Sequence, residues 1–292
     1  MFNPFNPVYL GLAVVLFYIY FLLYILDGIA HVFTYFLFKC RWIDRDERII
    51  GFNLNLVLPA LSPAERQRIA FQTIKLHFLN VLIALNLRLI YAFPVALRRH
   101  YIQAEWPEDI RTPEDLRYKI VVLPHYGIYY DPVLPHVLFG VSMAPVYRLK
   151  NRLVEYLVFK ARAFGRKVIG ISQAEFKAYL ADPSVGPIKT YDMLLILCDQ
   201  KSRRAHPVTF LNQSVEFMSS PVELHKQTGR PIWAFLRRYN QKEFKIEYRF
   251  IPIQPILDAT DPVAITQKIA DVFTAAILAD PEQYLWAYNR FQ

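Results

Sequence analysis

From Val8 to Leu26 the chain runs nineteen residues without a charge. As a helix that stretch would rise about 28 Å, close to the hydrocarbon thickness of a bilayer. Asp27 interrupts it, and Gly28 to Phe38 then continues apolar, with Tyr9, Tyr18, Tyr20, Tyr24 and Tyr35 scattered along the way. The segment has neither a basic start nor an Ala-x-Ala-like cleavage site, so it reads as a retained membrane anchor rather than a removed signal peptide. A buried core helix is the competing reading. Asp27 and His31 would be costly at mid-depth, which leaves open whether residues 8–38 span the bilayer or partly lie on it. Further on, Ser62-Pro63-Ala64-Glu65 predicts an N-cap, a Pro at the first helical position and an acid in the first turn. The helix it starts runs to about Leu89 and is apolar around most of its circumference (Ile69, Phe71, Ile74, Leu76, Phe78, Leu79), so it is buried or lies in a membrane surface. Strand-like runs follow near 119–123, 143–147, 167–171, 193–198, 207–210, 231–236 and 244–252. Helical patterns fall near 151–165, 173–181, 220–228 and 262–279. Such alternation predicts an α/β fold with a mixed central sheet flanked by helices. The expected organisation is an anchor over 1–40 and one domain over 41–292.

Composition supports a greasy, membrane-associated chain: 54% hydrophobic and 15% aromatic residues over 292 positions, with nine glycines. Lys39, Arg41, Arg45 and Arg48 follow the anchor, while no Lys or Arg precedes it. Positive residues stay on the cytoplasmic side, so the bulk of the chain is expected there. The net charge of +9 is spread in clusters. Arg98-Arg99-His100, then Lys201, Arg203, Arg204 and His206, then Arg237-Arg238 each follow an apolar run. These are either solvated loops or strand ends sharing one face, which would attract phosphate, anionic headgroups or an acidic protein. No nucleic-acid-binding motif, Gly-rich phosphate loop or internal repeat is present, and nucleic acid is not an expected partner. Cys40 and Cys198 are far apart and make no metal pair; a disulfide is not expected in a reducing compartment.

Chemistry concentrates at Lys119-Ile-Val-Val-Leu-Pro-His125-Tyr-Gly-Ile-Tyr-Tyr-Asp131. Ile120 to Leu123 predicts a short buried strand, and His125 falls just past its end, with Gly127 and an acid following. A neutral imidazole can take a proton from a hydroxyl, and a carboxylate on its other nitrogen fixes the tautomer. The residues alone also allow a loop histidine with an unrelated capping Asp131.

Four places resemble the lysophospholipid acyltransferase superfamily, specifically the late (lauroyl/myristoyl-type) acyltransferases of lipid A biosynthesis. Arg48-Ile-Ile-Gly-Phe-Asn-Leu-Asn-Leu-Val-Leu-Pro-Ala-Leu-Ser-Pro-Ala-Glu-Arg66 is similar to their post-anchor segment. His125 and Asp131 resemble the His-x4-Asp/Glu box, and Val146-Tyr-Arg148 with Asn151 resembles the basic element after it. Asp199-Gln200, and Pro281-Glu-Gln-Tyr-Leu-Trp-Ala-Tyr-Asn-Arg-Phe291, resemble the later strand-end acid and the carboxyl-terminal signature. The likeness covers nearly the whole chain, and the carboxyl-terminal run is its most specific piece. One departure stands out: Tyr130 occupies the family's acid position, and Asp131 comes one residue later. Either a one-residue bulge lets Asp131 reach His125, or the acid is displaced and catalysis diverges.

The resemblance implies O-acyl transfer from a thioester to a hydroxyl of a lipid A precursor or similar glycolipid, with His125 as general base and Asp131 holding its ring. Arg148 is expected to stabilise the oxyanion or hold a phosphate, unless it is a surface arginine paired with Glu155. Asp199 would orient such an arginine, bind substrate, or merely turn the chain. Arg290 matches the terminal signature and would support the site. The implied partners are an acyl carrier protein or acyl-CoA donor, a lipid acceptor and a membrane, with no metal or cofactor demanded. The implied location is the bacterial inner membrane, with the catalytic domain on its cytoplasmic side. Two alternatives remain: the same chemistry on a lysophospholipid, aminolipid or other lipid, or a non-catalytic membrane protein keeping the fold.

Overall fold

The computed structural model describes residues 7–91, 102–105, 113–129, 143–147, 171–182, 184, 193–253 and 261–291. The apolar amino-terminal run is one helix, α1 (Pro7–Lys39), 33 residues and roughly 50 Å long. A helix not expected from the pattern follows, α2 (Asp44–Val57). Asp44, Asp46 and Glu47 in its first turn oppose the positive end of its dipole, and Ile50, Asn53, Leu54 and Val57 form its buried stripe. The expected cap starts α3 (Pro63–Tyr91). The Ser62 N–H donates to Glu65 Oε2 at 2.8 Å, and the Glu65 N–H returns to Ser62 Oγ at 3.3 Å, a reciprocal capping box.

Asp27 does not break α1 because it has a partner. Lys75 Nζ of α3 lies 2.9 Å from Asp27 Oδ2, with both side chains nearly excluded from solvent. Around this pair Leu26 and Ala30 of α1 pack into the same core cluster as Leu76, Leu79 and Ile83 of α3. The opposite stripe of α1, Ile25, Ile29, Val32, Phe33 and Phe36, is exposed. The carboxyl-terminal half of α1 is therefore docked on one side and bare and apolar on the other. Lys75→Met would strand a buried carboxylate, and we expect a loss of about 3 kcal/mol, largely recovered by adding Asp27→Leu. Chemical denaturation in detergent micelles checks this. Equal stability of the single and double variants would count against the pairing.

Seven strands form one mixed sheet in the order β1-β9-β8-β2-β5-β3-β4: β1 Ile102–Glu105, β2 Lys119–Leu123, β3 Met143–Tyr147, β4 Ile171–Ser172, β5 Met193–Leu197, β8 Ile232–Asn240 and β9 Lys245–Ile253. All neighbours run parallel except β8 and β9, which form an antiparallel pair. Strand periodicity divides the side chains between two faces. Val121, Leu123, Leu195, Trp233 and Phe235 meet α1 and α3. Ile120, Val122, Leu194, Ile196, Ile232 and Ala234 join a core with α4 (Gln173–Ala181), α5 (Ser220–Thr228) and α6 (Pro262–Ala279). This is the mixed α/β sheet flanked by helices that the alternating pattern predicts. The helix expected near 151–165 lies outside the described residues, and the strand expected at 167–171 is described only as 171–172.

A separate hairpin, β6 (Ala205–Phe210) and β7 (Gln213–Met218), lies under α6. Its tip, Leu211-Asn212, has positive φ at both residues, 52° and 60°, as a tight mirror-image turn requires. No Asn-Gly marks it, and β7 was not expected. Among the described residues, α6 is long and apolar enough to cross a membrane. Its stripe Ile265, Ile269, Phe273 and Ile277 is nonetheless buried in the core.

Candidate active site

The centre of the sheet brings two strand ends together. β2 and β5 are adjacent and parallel with Leu123 opposite Leu197. Two residues further along each strand lie His125 and Asp199, which therefore leave the sheet at the same level. Carboxyl ends of parallel strands are where open α/β sheets bind ligands. Asp199 Oδ1 is 2.6 Å from His125 Nδ1, and Asp199 Oδ2 accepts the His125 backbone N–H at 3.0 Å. One carboxylate thus holds both the ring and the main chain of the histidine. Burial would raise the Asp199 carboxyl, but the His125 charge, its hydrogen bonds and the nearby Arg290 outweigh it and keep the acid below its ordinary range. An ionised Asp199 accepts only, so Nδ1 carries the proton and Nε2 presents its lone pair.

The loop around His125 is held from three sides. The Gly127 N–H donates to the Gln283 carbonyl at 2.8 Å, and the Leu285 N–H donates to the His125 carbonyl at 3.0 Å. Tyr126 and Tyr284 form an antiparallel bridge between these segments. From α3, Asn80 Nδ2 donates to the Gly127 carbonyl at 2.8 Å. From β8, Arg237 Nη2 donates to the Tyr129 carbonyl at 2.7 Å, and the Arg237 carbonyl accepts the Ile128 N–H at 3.2 Å. Gly127 sits at φ +61° because β8 passes beside it, leaving no room for a side chain. The carboxyl-terminal segment is fixed in turn: Asn53 Nδ2 of α2 donates to the Trp286 and Tyr288 carbonyls at 2.8 and 2.9 Å.

Polar and aromatic groups line the open side of the imidazole. Gln200 Nε2 is 3.2 Å from His125 Nε2. Tyr129 meets the His125 ring edge to face at 5.0 Å, and its hydroxyl is 2.7 Å from His77 Nδ1. Burial, then the charge of His125, pushes His77 below the ordinary histidine range, so it is neutral near pH 7. On the acid side, burial and then the charge of Asp199 raise the Tyr284 phenol well above its usual value. Arg290 lies over the rings of Phe210 and Phe217 and donates to the Glu216 carbonyl at 2.9 Å, with its charge acting on Asp199.

The acid on Nδ1 is therefore Asp199, expected from sequence only as an arginine-orienting, substrate-binding or turn residue. Asp131, Tyr130, Arg148 and Asn151 lie outside the described residues. Arg290 is close enough to act on Asp199. Arg237-Arg238 is a correction: the pair does not follow a strand but lies inside β8, which runs to Asn240. Arg237 is buried, and Arg238 pairs with Glu247 and Asp280, so neither is part of an open anion-binding face. In the Lys201–His206 cluster, Arg204 pairs with Glu223 and His206 bonds Thr266, while Arg98-Arg99-His100 lies outside the described residues. Cys198 is buried, and that burial, with Asp199 next to it, pushes its thiol far up, so it is no nucleophile. Among the described residues no group of three or more His, Cys, Asp or Glu could hold a metal. Sequence reasoning missed His77 and Asn80, and gave Tyr284 no role beyond its place in the carboxyl-terminal signature. His77 and Asn80 are near one turn apart on a helix read only for its apolar content.

The sequence profile of the bacterial lipid A biosynthesis acyltransferases matches residues 7–292. No curated protein matches the chain. Among solved structures the chain is similar to the 1-acyl-sn-glycerophosphate (LPA) acyltransferase PlsC from Thermotoga maritima. Identity there is 10%, covering 87% of this chain and 97% of that one, with a TM-score of 0.38.

Proposed function

The chain belongs to the bacterial lipid A biosynthesis acyltransferase family and is an acyltransferase; we propose that it moves a fatty acyl chain from an acyl carrier protein or CoA thioester to a hydroxyl of a lipid A precursor or similar glycolipid. The observation that carries this reading is the 2.6 Å pairing of His125 Nδ1 with a buried, ionised Asp199. It leaves Nε2 as the base. In the proposed reaction the acceptor O–H gives its proton to Nε2 while its oxygen bonds to the thioester carbonyl carbon. Asp199 offsets the imidazolium charge. Collapse breaks the C–S bond, and the imidazolium returns its proton to the departing thiolate. The family resemblance makes Arg148 the proposed partner of the oxyanion or of a substrate phosphate.

We also propose that α1 anchors the enzyme, with its bare stripe Ile25, Ile29, Val32, Phe33 and Phe36 against lipid. The charges Lys39, Arg41, Arg45 and Arg48 then lie at the cytoplasmic surface of the bacterial inner membrane. The test uses full-length protein in detergent with lauroyl-acyl carrier protein and lauroyl-CoA side by side. It follows thiol release and, by mass spectrometry, acylated product from lipid A precursor or lysophospholipid. We expect thiol release coupled to acylated glycolipid, reduced about 10²–10⁴-fold in His125→Ala. Full turnover in His125→Ala would sink the mechanism, and a product found only on lysophospholipid would move the acceptor.

A further inference from the structure

Gln200 occupies the position that the acceptor hydroxyl must take. With Asp199 fixing the Nδ1 proton, the lone pair of His125 Nε2 needs a donor, and the Gln200 side-chain amide stands 3.2 Å away to supply it. The two flanking residues differ in a telling way. Asp199 is buried and bonded to both His125 nitrogens of the inner side, the ring Nδ1 and the backbone N–H. Gln200, at the turn that follows β5, is only partly buried, so its side chain can leave while its neighbour stays. A base capped by a fixed group would be useless; one capped by a displaceable group is selective.

We propose that Gln200 is a positioning residue that caps His125 Nε2 until an acceptor hydroxyl displaces it, and so protects the bound thioester from water. The inference rests on His125 being the base. In the unwanted reaction a water O–H would give its proton to Nε2, its oxygen would bond to the thioester carbonyl carbon, and the C–S bond would break to release thiol and fatty acid. Water must replace the amide to do so, and a single small molecule gains little from the exchange. An amphipathic acceptor brings the binding energy of its whole surface to the same replacement, so the cap discriminates between two nucleophiles of equal chemistry.

The experiment measures thiol release from lauroyl-acyl carrier protein and lauroyl-CoA by full-length protein in detergent, with and without acceptor lipid. Gln200→Met keeps the length of the side chain and removes the donor. We expect acceptor-independent hydrolysis to rise about 5–10-fold, the worth of one hydrogen bond, and the KM for the acceptor, which no longer has to displace the amide, to fall by a similar factor. Gln200→Glu places a carboxylate beside Nε2 and is expected to move the acid limb of the hydrolysis pH profile upward by about one unit. Unchanged hydrolysis in Gln200→Met would overturn the cap by itself, and an unshifted profile in Gln200→Glu would overturn the placement of Gln200 beside Nε2 on which it depends. If Gln200→Met does not fold, the Gln200→Glu profile decides alone. His125→Ala separates the two claims: it removes hydrolysis and transfer if His125 is the base, and leaves both if that reading is wrong, whatever Gln200 does.

Discussion

Replacing Asp199 by asparagine is expected to lower turnover about 10²–10⁴-fold while leaving the fold intact. The carboxylate accepts twice from His125, from Nδ1 at 2.6 Å and from the backbone N–H at 3.0 Å. An amide of the same shape has one accepting and one donating end. Facing its oxygen to Nδ1, it sets an N–H against the backbone N–H; facing its oxygen to the backbone, it donates to Nδ1 and forces the ring proton onto Nε2. The second arrangement leaves no base, and neither supplies a charge to balance the imidazolium. Steady-state thiol release with Asp199→Asn and Asp131→Asn measured in parallel distinguishes the two acids. A large loss in Asp131→Asn with near-normal turnover in Asp199→Asn would reverse the assignment.

Gly127→Ala should give no folded protein, a loss of more than about 4 kcal/mol. A Cβ at Gly127 would lie 1.6 Å from the Arg237 carbonyl oxygen and 2.6 Å from its carbon. Those atoms belong to the backbone of β8, which β2 and β9 hold on either side, so no rotamer change relieves the overlap. Moving the loop instead would break the bonds of Gly127 to Gln283 and Asn80 and carry His125 away from Asp199. Gly229→Ala is the control. Gly229 also has positive φ, 70°, but nothing within 4 Å of the added carbon, so only the conformational strain of about 1 kcal/mol remains. Yield of folded protein and its thermal midpoint compare the two. A Gly127→Ala midpoint matching that of Gly229→Ala would refute the close approach.

His125 was legible because an apolar run ending in Pro-His puts the histidine at a strand mouth. Its acid was not, because proximity in sequence favours Asp131, whereas the partner comes from the parallel register of 119–123 with 193–197, a pairing that leaves no mark in either segment. Arg237 misled for a related reason. A charge after an apolar run reads as a strand end, yet here the guanidinium is buried inside β8 and satisfied by the Tyr129 carbonyl. The carboxyl-terminal signature was specific without being interpretable, since Gln283 and Leu285 clamp the histidine loop through main-chain groups that any residue carries. Asp27 was read as an interruption of the anchor, and its tolerance depended on a lysine 48 positions later on another helix.

The Asn53 contacts to the Trp286 and Tyr288 carbonyls tie positions 233 and 235 residues apart. Asn53 is therefore synthesised long before the two carbonyls that its amide holds. As the ribosome extends the chain, β2 and the histidine loop emerge while the carbonyl of His125 and the N–H of Gly127 still lack their partners, Leu285 and Gln283. Closure of the histidine loop is then among the latest and most non-local events of folding, and a chain not yet closed holds no assembled histidine loop.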